Sequence, residues 1–538
     1  MRMTNKIIQN NSLYNINNNK VLQDKLSTQL STQKKLTRPS DDPVIAIRAL
    51  RLRSDVSQIK QFYEKNAPDA ESWIKVTSDA LNTTTEVINS MIEQATKGSN
   101  KDLGYEDLDI ITTQLKALKD EFYATGNVDF AGRYVFTGFR TDTTLTYTED
   151  MTQDFTITEQ IKVSAFDTLN YTNLDNLDGM SKENYDPTTG IGQVEADIQN
   201  DDMYRLRVSY DNLKSAADGQ DFKLTYVSDA TTVPPTETDL ISANAGNLVY
   251  ISSTADPNPY EEMQSGNYDD KAILIPETGE LLVGKDLYES ISTNPNITVD
   301  TQLRVSYEKN SWKDGDLRPQ HYFACENTDE NIKYNQEDYV IGYDANNEPI
   351  MDKYIPVDKV SQVIEYDVGY NQKIRINTTA DEVFTMNVDR DIDDIEQALA
   401  QLEKINTSRD NLKNMLDGMA ENEPGYDNLK ATYDAADKAF TYIRENVQKK
   451  FENLITKVQG NLDATSVAIT DNGTRGSRLD LVSNRLMTQK TTFETLQSSN
   501  EDVDVTEVTV QLTSMGYTYQ SALMATSKIM QNSLMNYI

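Results

Sequence analysis

Three aspartates, Asp389, Asp391 and Asp393, have the spacing that opens a calcium-binding EF-hand loop. That loop also needs a glycine at its sixth position for the sharp turn and a bidentate glutamate at its twelfth. This sequence has Asp394 and Ala400 at those two positions. The aspartates therefore do not predict a calcium site.

Two other groups of residues resemble functional patterns without completing them. Gly190-Ile191-Gly192 has Glu195 where a dinucleotide-binding loop needs its third glycine. His321 and Cys325 are the single histidine and the single cysteine of the chain. Two such ligands are too few for a closed zinc site, so we predict that they lie in a surface loop. Carboxylates in the middle of the chain permit a glycosidase-like pair, but composition does not locate one. We therefore predict no catalytic residue, no metal site and no cofactor, and we expect that the protein is not an enzyme.

Composition excludes several partner classes. The chain has 538 residues with 51 Lys and Arg against 86 Asp and Glu, a net charge of −35. Because nucleic-acid binding depends on cationic side chains that neutralise phosphates, we expect no nucleic-acid partner. No apolar run approaches the length of a membrane span, so we expect no membrane insertion. The N-terminus lacks the continuous apolar stretch of a cleaved secretory signal, and one cysteine excludes an internal disulfide framework.

The charge is concentrated in the middle of the chain. Residues 141–390 hold 18 basic and 47 acidic side chains, a net charge of −29, together with ten of the fourteen prolines. The flanks, residues 1–140 and 391–538, have net charges of +2 and −8. Two proline-poor flanks therefore bracket an acidic, proline-rich insert.

Both flanks have the hydrophobic period of long helices. Apolar or small residues recur at alternating spacings of three and four from Ile45 to Met91, which is typical of a coiled-coil seam. Pro68 lies inside this series and should kink the helix. Similar series cover 108–122, 429–454 and 479–496, and the glycine-containing segment 472–476 predicts a turn between the last two.

The insert has the period of β-strands instead. Short segments rich in β-branched and aromatic residues alternate with Asp, Asn, Gly and Pro, as in 155–163, 204–210, 222–227, 272–275, 303–307 and 373–376. The predicted fold class is α+β: a long antiparallel helical or coiled-coil bundle made from both chain ends, with an inserted antiparallel β-rich outer domain. Leu206–Tyr210 recurs as Leu303–Tyr307, which indicates either two related subdomains or a chance match.

Motifs at both ends of the chain resemble one family. Arg38-Pro39-Ser40-Asp41-Asp42-Pro43 opens a long helix, with Asp42 suited to the N-cap and Pro43 to the first helical position. Gly132–Gly138 (Gly-Arg-Tyr-Val-Phe-Thr-Gly) closes the first flank, and Asp504–Glu507 precedes the last helix. In this order the motifs resemble the flagellin superfamily, and the Pro-Ser-Asp-Asp-Pro form resembles its hook-associated protein 3 branch.

Both chain ends carry apolar stripes that predict an assembly interface. The residues are Ile7, Tyr14, Val21, Val505, Val508, Leu512, Met515, Tyr519, Ile529 and Leu534. The resemblance implies that the ends are disordered in the monomer and fold together on assembly. The predicted segments are an N-terminal assembly segment (1–40), the two halves of the bundle (41–140 and 391–500), the insert (141–390) and a C-terminal assembly helix (501–538).

The resemblance implies an extracellular structural protein of the bacterial flagellum, which self-assembles into a ring that joins hook to filament. It also implies its partners: further copies of the chain, a hook-associated protein on the hook side, flagellin on the filament side, an export chaperone and the flagellar type III apparatus. Two alternatives stay open. One is flagellin, the filament subunit itself, and the other is a secreted β-rich carbohydrate-binding adhesin or glycosidase.

Overall fold

The computed structural model describes residues 5–174, 177–187, 189, 198–229, 236–242, 246–295, 297, 303–334, 340–343, 349–351 and 362–531. The chain forms two compact units. Unit 1 contains residues 1–72, 365–374 and 476–538, and unit 2 contains residues 73–364 and 375–475. Both chain ends therefore belong to the same unit.

Long helices come from both chain ends, and strands occupy the middle of the chain. The helices of the described residues are α1 (Asn5–Thr32), α2 (Pro43–Gln61), α3 (Ala67–Gly98), α4 (Tyr105–Ala124), α5 (Pro259–Gln264), α6 (Lys285–Ser292), α7 (Asn387–Asp417), α8 (Tyr426–Glu501) and α9 (Val505–Gln531). The predicted fold class is confirmed by this arrangement, and the predicted long series on the flanks correspond to α2, α3, α4 and α8.

The strands form two larger sheets in unit 2. One has the order β4-β5-β10-β9-β8 and the other β13-β12-β3-β11-β6-β7. Their bounds are β3 (Met151–Ile161), β4 (Phe166–Thr172), β5 (Asn200–Arg207), β6 (Lys223–Asp229), β7 (Thr236–Ser242), β8 (Leu248–Tyr250), β9 (Ala272–Ile275), β10 (Glu280–Val283), β11 (Leu303–Trp312), β12 (Ala324–Asn327) and β13 (Ile332–Tyr334). Three short hairpins are β1 (Asp129–Phe130) with β2 (Arg133–Tyr134), β14 (Val340–Tyr343) with β15 (Pro349–Met351), and β16 (Glu365–Gly369) with β17 (Gln372–Arg375).

The pairing of the strands is antiparallel with one exception among the described pairs, since β8 runs parallel to β9. The connection between these two strands contains α5, and a crossover of this length and kind is what a parallel pair needs. Leu206–Tyr210 and Leu303–Tyr307 belong to different sheets, because β5 and β11 do.

The helix kink predicted at Pro68 takes the form of a wide turn. A single π-helical turn, Phe62–Asn66, separates α2 from α3, and Pro68 is the second residue of α3. Proline has no N–H to donate to the preceding turn, and a wide turn accommodates the missing bond without ending the helix.

The turn predicted at 472–476 is wrong, because the whole segment lies inside α8. Asn472 is buried, and its Nδ2 donates to the Ile74 carbonyl oxygen at 2.8 Å. Arg475 donates to the Asn377 carbonyl oxygen at 2.7 Å. These contacts outweigh the cost of placing a glycine inside a helix, which is about 1 kcal/mol for each glycine.

The surface loop predicted for His321 and Cys325 is also wrong, since both residues are buried. His321 belongs to a short 3₁₀ turn, and its Nε2 lies 3.0 Å from the Thr144 carbonyl oxygen. Burial lowers the pKa of His321 to about 4 and raises the pKa of the Cys325 thiol. Within the described residues no three His, Cys, Asp or Glu side chains are grouped to hold a metal ion. Gly190–Gly192 lies outside the described residues.

The aspartates of the incomplete EF-hand pattern belong to α7, where they make ion pairs instead of a loop. Arg205 of β5, 4% exposed, donates to Asp394 of α7 with both terminal nitrogens at 2.9 Å. It also donates to Asp167 at 2.6 Å and to Glu280 at 2.5 Å. Arg207 pairs with Asp391 at 2.5 Å. We call these residues, with Lys450 and Lys457 of α8, the Arg205 cluster.

The Arg205 cluster fixes the charge of its members. Burial alone would raise the pKa of Asp394, but Arg205, Lys450 and Arg207 outweigh it and hold that pKa far below its usual range. Asp393 has a pKa raised to about 7, chiefly by burial and next by the charge of Asp389, which its pairing with Arg390 only partly offsets. Buried ion pairs thus join the insert to the helical flank.

We predict that Asp394→Ala lowers the free energy of unfolding of unit 2 by about 3–5 kcal/mol, because it leaves Arg205 buried without its main partner. Trp73 and Trp312, the two tryptophans of the chain, are both buried in unit 2, so denaturant unfolding followed by tryptophan fluorescence measures this change. Asp410→Ala, on the exposed side of the same helix, is the control and should cost less than about 1 kcal/mol. Equal effects of the two changes would contradict a stabilising cluster.

Candidate assembly surface

Unit 1 is built around the pairing of the two terminal helices, α1 and α9. Ile16 and Leu26 are the buried apolar residues of α1, and Val508 is buried in α9. The remaining apolar side chains of both helices are half-buried or exposed where they are described. The pair therefore buries little apolar surface for its length.

The chain segments next to these helices are joined by backbone hydrogen bonds. The Lys35 N–H donates to the Glu501 carbonyl oxygen at 2.7 Å, and the Val503 N–H donates to the Gln33 carbonyl oxygen at 3.1 Å. Lys34 pairs with the side chain of Asp502 and lies 3.7 Å from that of Glu501. We call residues 33–35 and 501–503 the terminal latch.

Glu501 also ties the terminal latch to α2. Arg53 donates to its two carboxylate oxygens at 2.7 and 2.6 Å, a bidentate pair. The side chain of Glu501 is buried while that of Arg53 is about half exposed. The hydrogen bonds from Arg53 lower the pKa of Glu501 more than burial raises it. A cavity of about 160 Å³ lies beside this pair, between the terminal latch and α2.

The motif at 39–43 starts α2 as the sequence predicts. Asp42 is the N-cap, and its carboxylate accepts from the N–H groups of Val44 and Ile45 at 3.0 and 3.1 Å. Pro43 is the first residue of the helix. Asp41 accepts from the Arg38 N–H at 3.2 Å, which fixes the turn before the cap. The motif therefore sets the direction in which the chain leaves the terminal latch.

The hairpin β16–β17 is a part of unit 1 that the sequence analysis missed. Tyr370 at its tip packs edge-on against Phe62 at 5.9 Å between ring centroids. Asn66 donates to the Asp367 carbonyl oxygen at 2.7 Å. The strand predicted at 373–376 corresponds to β17, but no local signal indicates that it forms a hairpin with β16 and packs on the π-helical turn.

The predicted interface residues of α1 lie on its exposed side. Tyr14 and Val21 are 66% and 70% exposed, and Ile7 is also exposed. These three residues are spaced by seven, which places them on one stripe of the helix. The stripe is separate from the side that holds Ile16 and Leu26.

The predicted interface residues of α9 are distributed differently. Val508 is buried, and Leu512, Met515 and Tyr519 are half-buried, so these four lie on the side that α9 turns toward its own chain. Val505 is exposed. Ile529 belongs to α9, and Leu534 lies outside the described residues.

The sequence analysis missed a second stripe on α9. Val510, Tyr517 and Met524 are spaced by seven and are 65%, 68% and 66% exposed. This is the same spacing as the stripe on α1. The heptad spacing could have revealed it, but two apolar stripes run along α9, and the sequence alone does not distinguish the inner from the outer.

Exposed apolar side chains are concentrated in unit 1. Of the 21 large apolar side chains exposed within the described ranges, 17 belong to this unit. Besides the two stripes they include Leu13, Leu22, Val44, Ile47, Leu50, Tyr370, Leu481, Met487, Leu496, Val505 and Leu523. Single exposed apolar residues need no explanation, but a concentration on one unit marks an interaction surface.

We predict that Glu501→Gln accelerates hydrogen exchange at the Lys35 and Val503 amides about fivefold at pH 7, since a partly exposed charged hydrogen bond contributes about 1 kcal/mol. The pKa of Glu501 is lowered in the folded state. The stability that the Glu501 carboxylate gives to the terminal latch is therefore complete above the ordinary pKa of 4.5, and it is lost as the pH falls through the lowered pKa. The difference between variant and wild type should vanish in that acidic range.

Glu494→Gln is the matched control. Glu494 lies on α8, as Glu501 does, and forms an exposed ion pair with Lys60 of α2 at 3.0 Å. It should leave both amides unchanged. Unchanged exchange in Glu501→Gln would show that the terminal latch does not depend on Arg53.

Comparison with known proteins gives matches over part of the chain. Residues 3–141 match the model of the bacterial flagellin N-terminal helical region. Flagellar hook-associated protein 3 of Salmonella typhimurium is 29% identical over 143 residues, which are 26% of this chain and 45% of that protein. The Escherichia coli protein of the same name is 28% identical over 144 residues, 27% of this chain and 45% of that protein. The chain thus spans about half the length of the curated relatives it matches.

Solved structures match with low similarity. A putative flagellar hook-associated protein from Vibrio parahaemolyticus has 13% identity and a TM-score of 0.31, over 86% of this chain and 100% of that one. Flagellar hook associated protein-3 from Legionella pneumophila has 11% identity and a TM-score of 0.30, over 83% and 97%. Residues 3–141 are thus similar to the bacterial flagellin N-terminal helical region, and the resemblance to the flagellin superfamily that the sequence motifs indicate is confirmed.

Proposed function

We propose that this chain is a structural subunit of the bacterial flagellum, which self-assembles through unit 1 into a ring that joins hook to filament. The observation that carries the proposal is the concentration of exposed apolar side chains on the unit made from both chain ends, with a heptad-spaced stripe on each terminal helix. The similarity of about a quarter of this chain to proteins named flagellar hook-associated protein 3 supports the junction role over the filament role.

The charges of the terminal helices support assembly. In α9 only Glu507 and Lys528 are charged among 27 residues, and α1 has four charged residues among 28. Buried cores of protein interfaces are depleted in charged residues, since a charge that leaves water without a partner is costly. Thr, Ser, Asn and Gln instead keep the helices hydrated before assembly. Helices of this composition can enter a dry layer without burying charges.

The proposed ring implies a set of neighbours and a location. Further copies of the chain pack beside it, a hook-associated protein lies on the hook side, and flagellin lies on the filament side. Before assembly the chain passes through the flagellar type III apparatus with an export chaperone, and it ends outside the cell. In this proposal the protein has no catalytic role. Within the described part of the chain, no helix is long and apolar enough to cross a membrane.

The acidic insert has a simple role in this assembly. Its net charge of −29 makes the inserts of neighbouring copies repel one another, which favours an exposed position and keeps the subunits soluble. Repulsion of this kind is screened by salt at distances beyond about 8 Å at physiological ionic strength. The apolar contacts between terminal helices are not screened, so they provide the attraction.

The first test uses a strain that lacks this protein and is complemented with variants. Val510→Asp and Tyr517→Asp should leave the thermal midpoint of the monomer nearly unchanged, because substitutions at exposed positions usually change stability by less than about 0.5 kcal/mol. Each should nevertheless leave hooks without filaments and flagellin in the medium, since the new charge would be buried on assembly. Electron microscopy of the cells and immunoblots of the medium measure both effects.

Val467→Asp is the matched control, because Val467 is 68% exposed on α8 but belongs to unit 2. It should restore filaments. Normal filaments in the strain without the protein would overturn the junction role, and filaments restored by Val510→Asp would overturn the role of the stripe. Immunogold labelling along the whole filament, instead of at its base, would favour flagellin.

A second prediction concerns the terminal helices before assembly. We propose that α1 and α9 pair stably only next to neighbouring copies, because the 28 residues of α1 bury just two apolar side chains, and ordering a backbone costs about 1–2 kcal/mol per residue. Light proteolysis of the monomer should remove α1 and α9 and leave the terminal latch, while the polymer resists. Mass spectrometry of the fragments identifies the cut sites. Protected ends in the monomer would show that the pair is stable alone.

A further inference from the structure

A polar cleft lies in unit 2 between the last strand of a sheet and α8. β4 ends the five-stranded sheet and pairs only with β5 among the described strands. On its other edge, Asn446 of α8 donates to the Asn170 carbonyl oxygen at 3.0 Å. Beside this bond is a cavity of about 240 Å³. We call it the β4–α8 cleft, lined by Thr168, Asn170, Asp391, Asn446, Lys449 and Asn453, with the Arg205 cluster next to it.

Asp391, which lines this cleft, has a buried carboxylate oxygen without a partner among the described residues. Oδ1 of Asp391 accepts from Arg207 at 2.5 Å and from Lys457 at 2.7 Å. Oδ2 accepts no hydrogen bond from the described residues, although the side chain is only 8% exposed. Leaving a buried acceptor unpaired is unfavourable, so a hydrogen-bond donor that enters the cleft gains more there than at an ordinary surface.

The charges around the cleft are balanced. Four carboxylates, of Asp167, Asp202, Asp391 and Asp394, face four cations, of Arg205, Lys449, Lys450 and Lys457. A ligand with a net charge therefore gains little over a neutral one. The side chains of Asn446, Asn453 and Thr168 add groups that both donate and accept. Ligands rich in hydroxyl groups, which donate and accept in the same way, match this lining.

The size and one end of the cleft restrict the ligand further. The volume is below the usual range for drug-sized ligands, so it suits a single ring. A second, smaller cavity adjoins it and is lined by Tyr171 and Tyr260. Their rings are stacked with their centroids 5.0 Å apart at this end of the cleft. Carbohydrates present both hydroxyl groups and apolar C–H faces.

We propose that the β4–α8 cleft binds a neutral carbohydrate, with one sugar ring of a glycan in the cavity and its hydroxyl groups on Asp391, Asn453 and Lys449. This activity does not depend on assembly through unit 1. It would give a subunit on the outside of a cell a contact with surface glycans, in a cleft that requires both the insert and the helical flank.

The test uses the full chain as a monomer, with maltotriose and chitotriose as separate probes at millimolar concentration. Saturation-transfer NMR should detect binding of at least one of them. Asn453→Ala and Lys449→Ala should each weaken that binding roughly fivefold, the loss expected for one hydrogen bond. Lys430→Ala is the control, since Lys430 is exposed on α8 and does not line the cleft.

Several results would overturn the proposal. No transfer to either sugar would do so, as would transfer that Asn453→Ala and Lys449→Ala leave unchanged. Displacement of the sugar by inorganic phosphate would show an anion site instead. Unchanged tryptophan fluorescence of the variants, which reports on unit 2, ensures that weaker binding is not unfolding. Filament assembly by the same variants should be normal, so this proposal can fail without the proposed assembly role failing.

Discussion

The pairing of the two chain ends is the constraint on which the rest of the structure depends. Residues 1–72 and 476–538 belong to one unit, and of the residues between them only 365–374 belong to it as well. The helix α8, 76 residues long, begins in unit 2 and ends in unit 1. Because the ends are held by the terminal latch, the insert can vary in size and charge without changing how they meet. Such an arrangement separates the requirements of assembly from those of the outer surface.

A second constraint acts inside unit 2, where the insert meets the helical flank. Arg205 places one guanidinium among carboxylates from β4, β10 and α7. A buried ion pair need not stabilise a protein relative to an apolar contact. Removing one partner, however, leaves the other charge buried and uncompensated, which is strongly destabilising. The Arg205 cluster therefore penalises any other placement of β5 against α7. It acts on specificity of the fold at least as much as on its stability.

The sequence correctly predicts helices and strands that depend on a local hydrophobic period. It gives the wrong prediction where contacts with residues far away in the chain determine the local structure. The β-branched and other apolar residues of 272–275 and 303–307 predict strands, and β9 and β11 lie there. The glycines at 473 and 476 predict a turn because their local propensity opposes a helix. Burial of Asn472 against Ile74, 398 residues away in the chain, reverses that preference, and no window of sequence contains both partners.

The same limit explains which interface residues could be identified. On α1 the apolar positions Ile7, Tyr14 and Val21 are separate from the buried residues, so the predicted stripe is the exposed one. On α9 the inner stripe, with Val508, is as regular as the outer one, with Val510. Hydrophobic spacing shows that a helix has two apolar sides, but only its packing shows which side its own chain covers. Each of these helices is covered by its own chain on one side and carries few charges on the other. Such a helix becomes more stable in water when a further partner covers its second side. In a protein whose chain is otherwise strongly charged, the scarcity of charge on α1 and α9 supports our proposal that another copy covers that side.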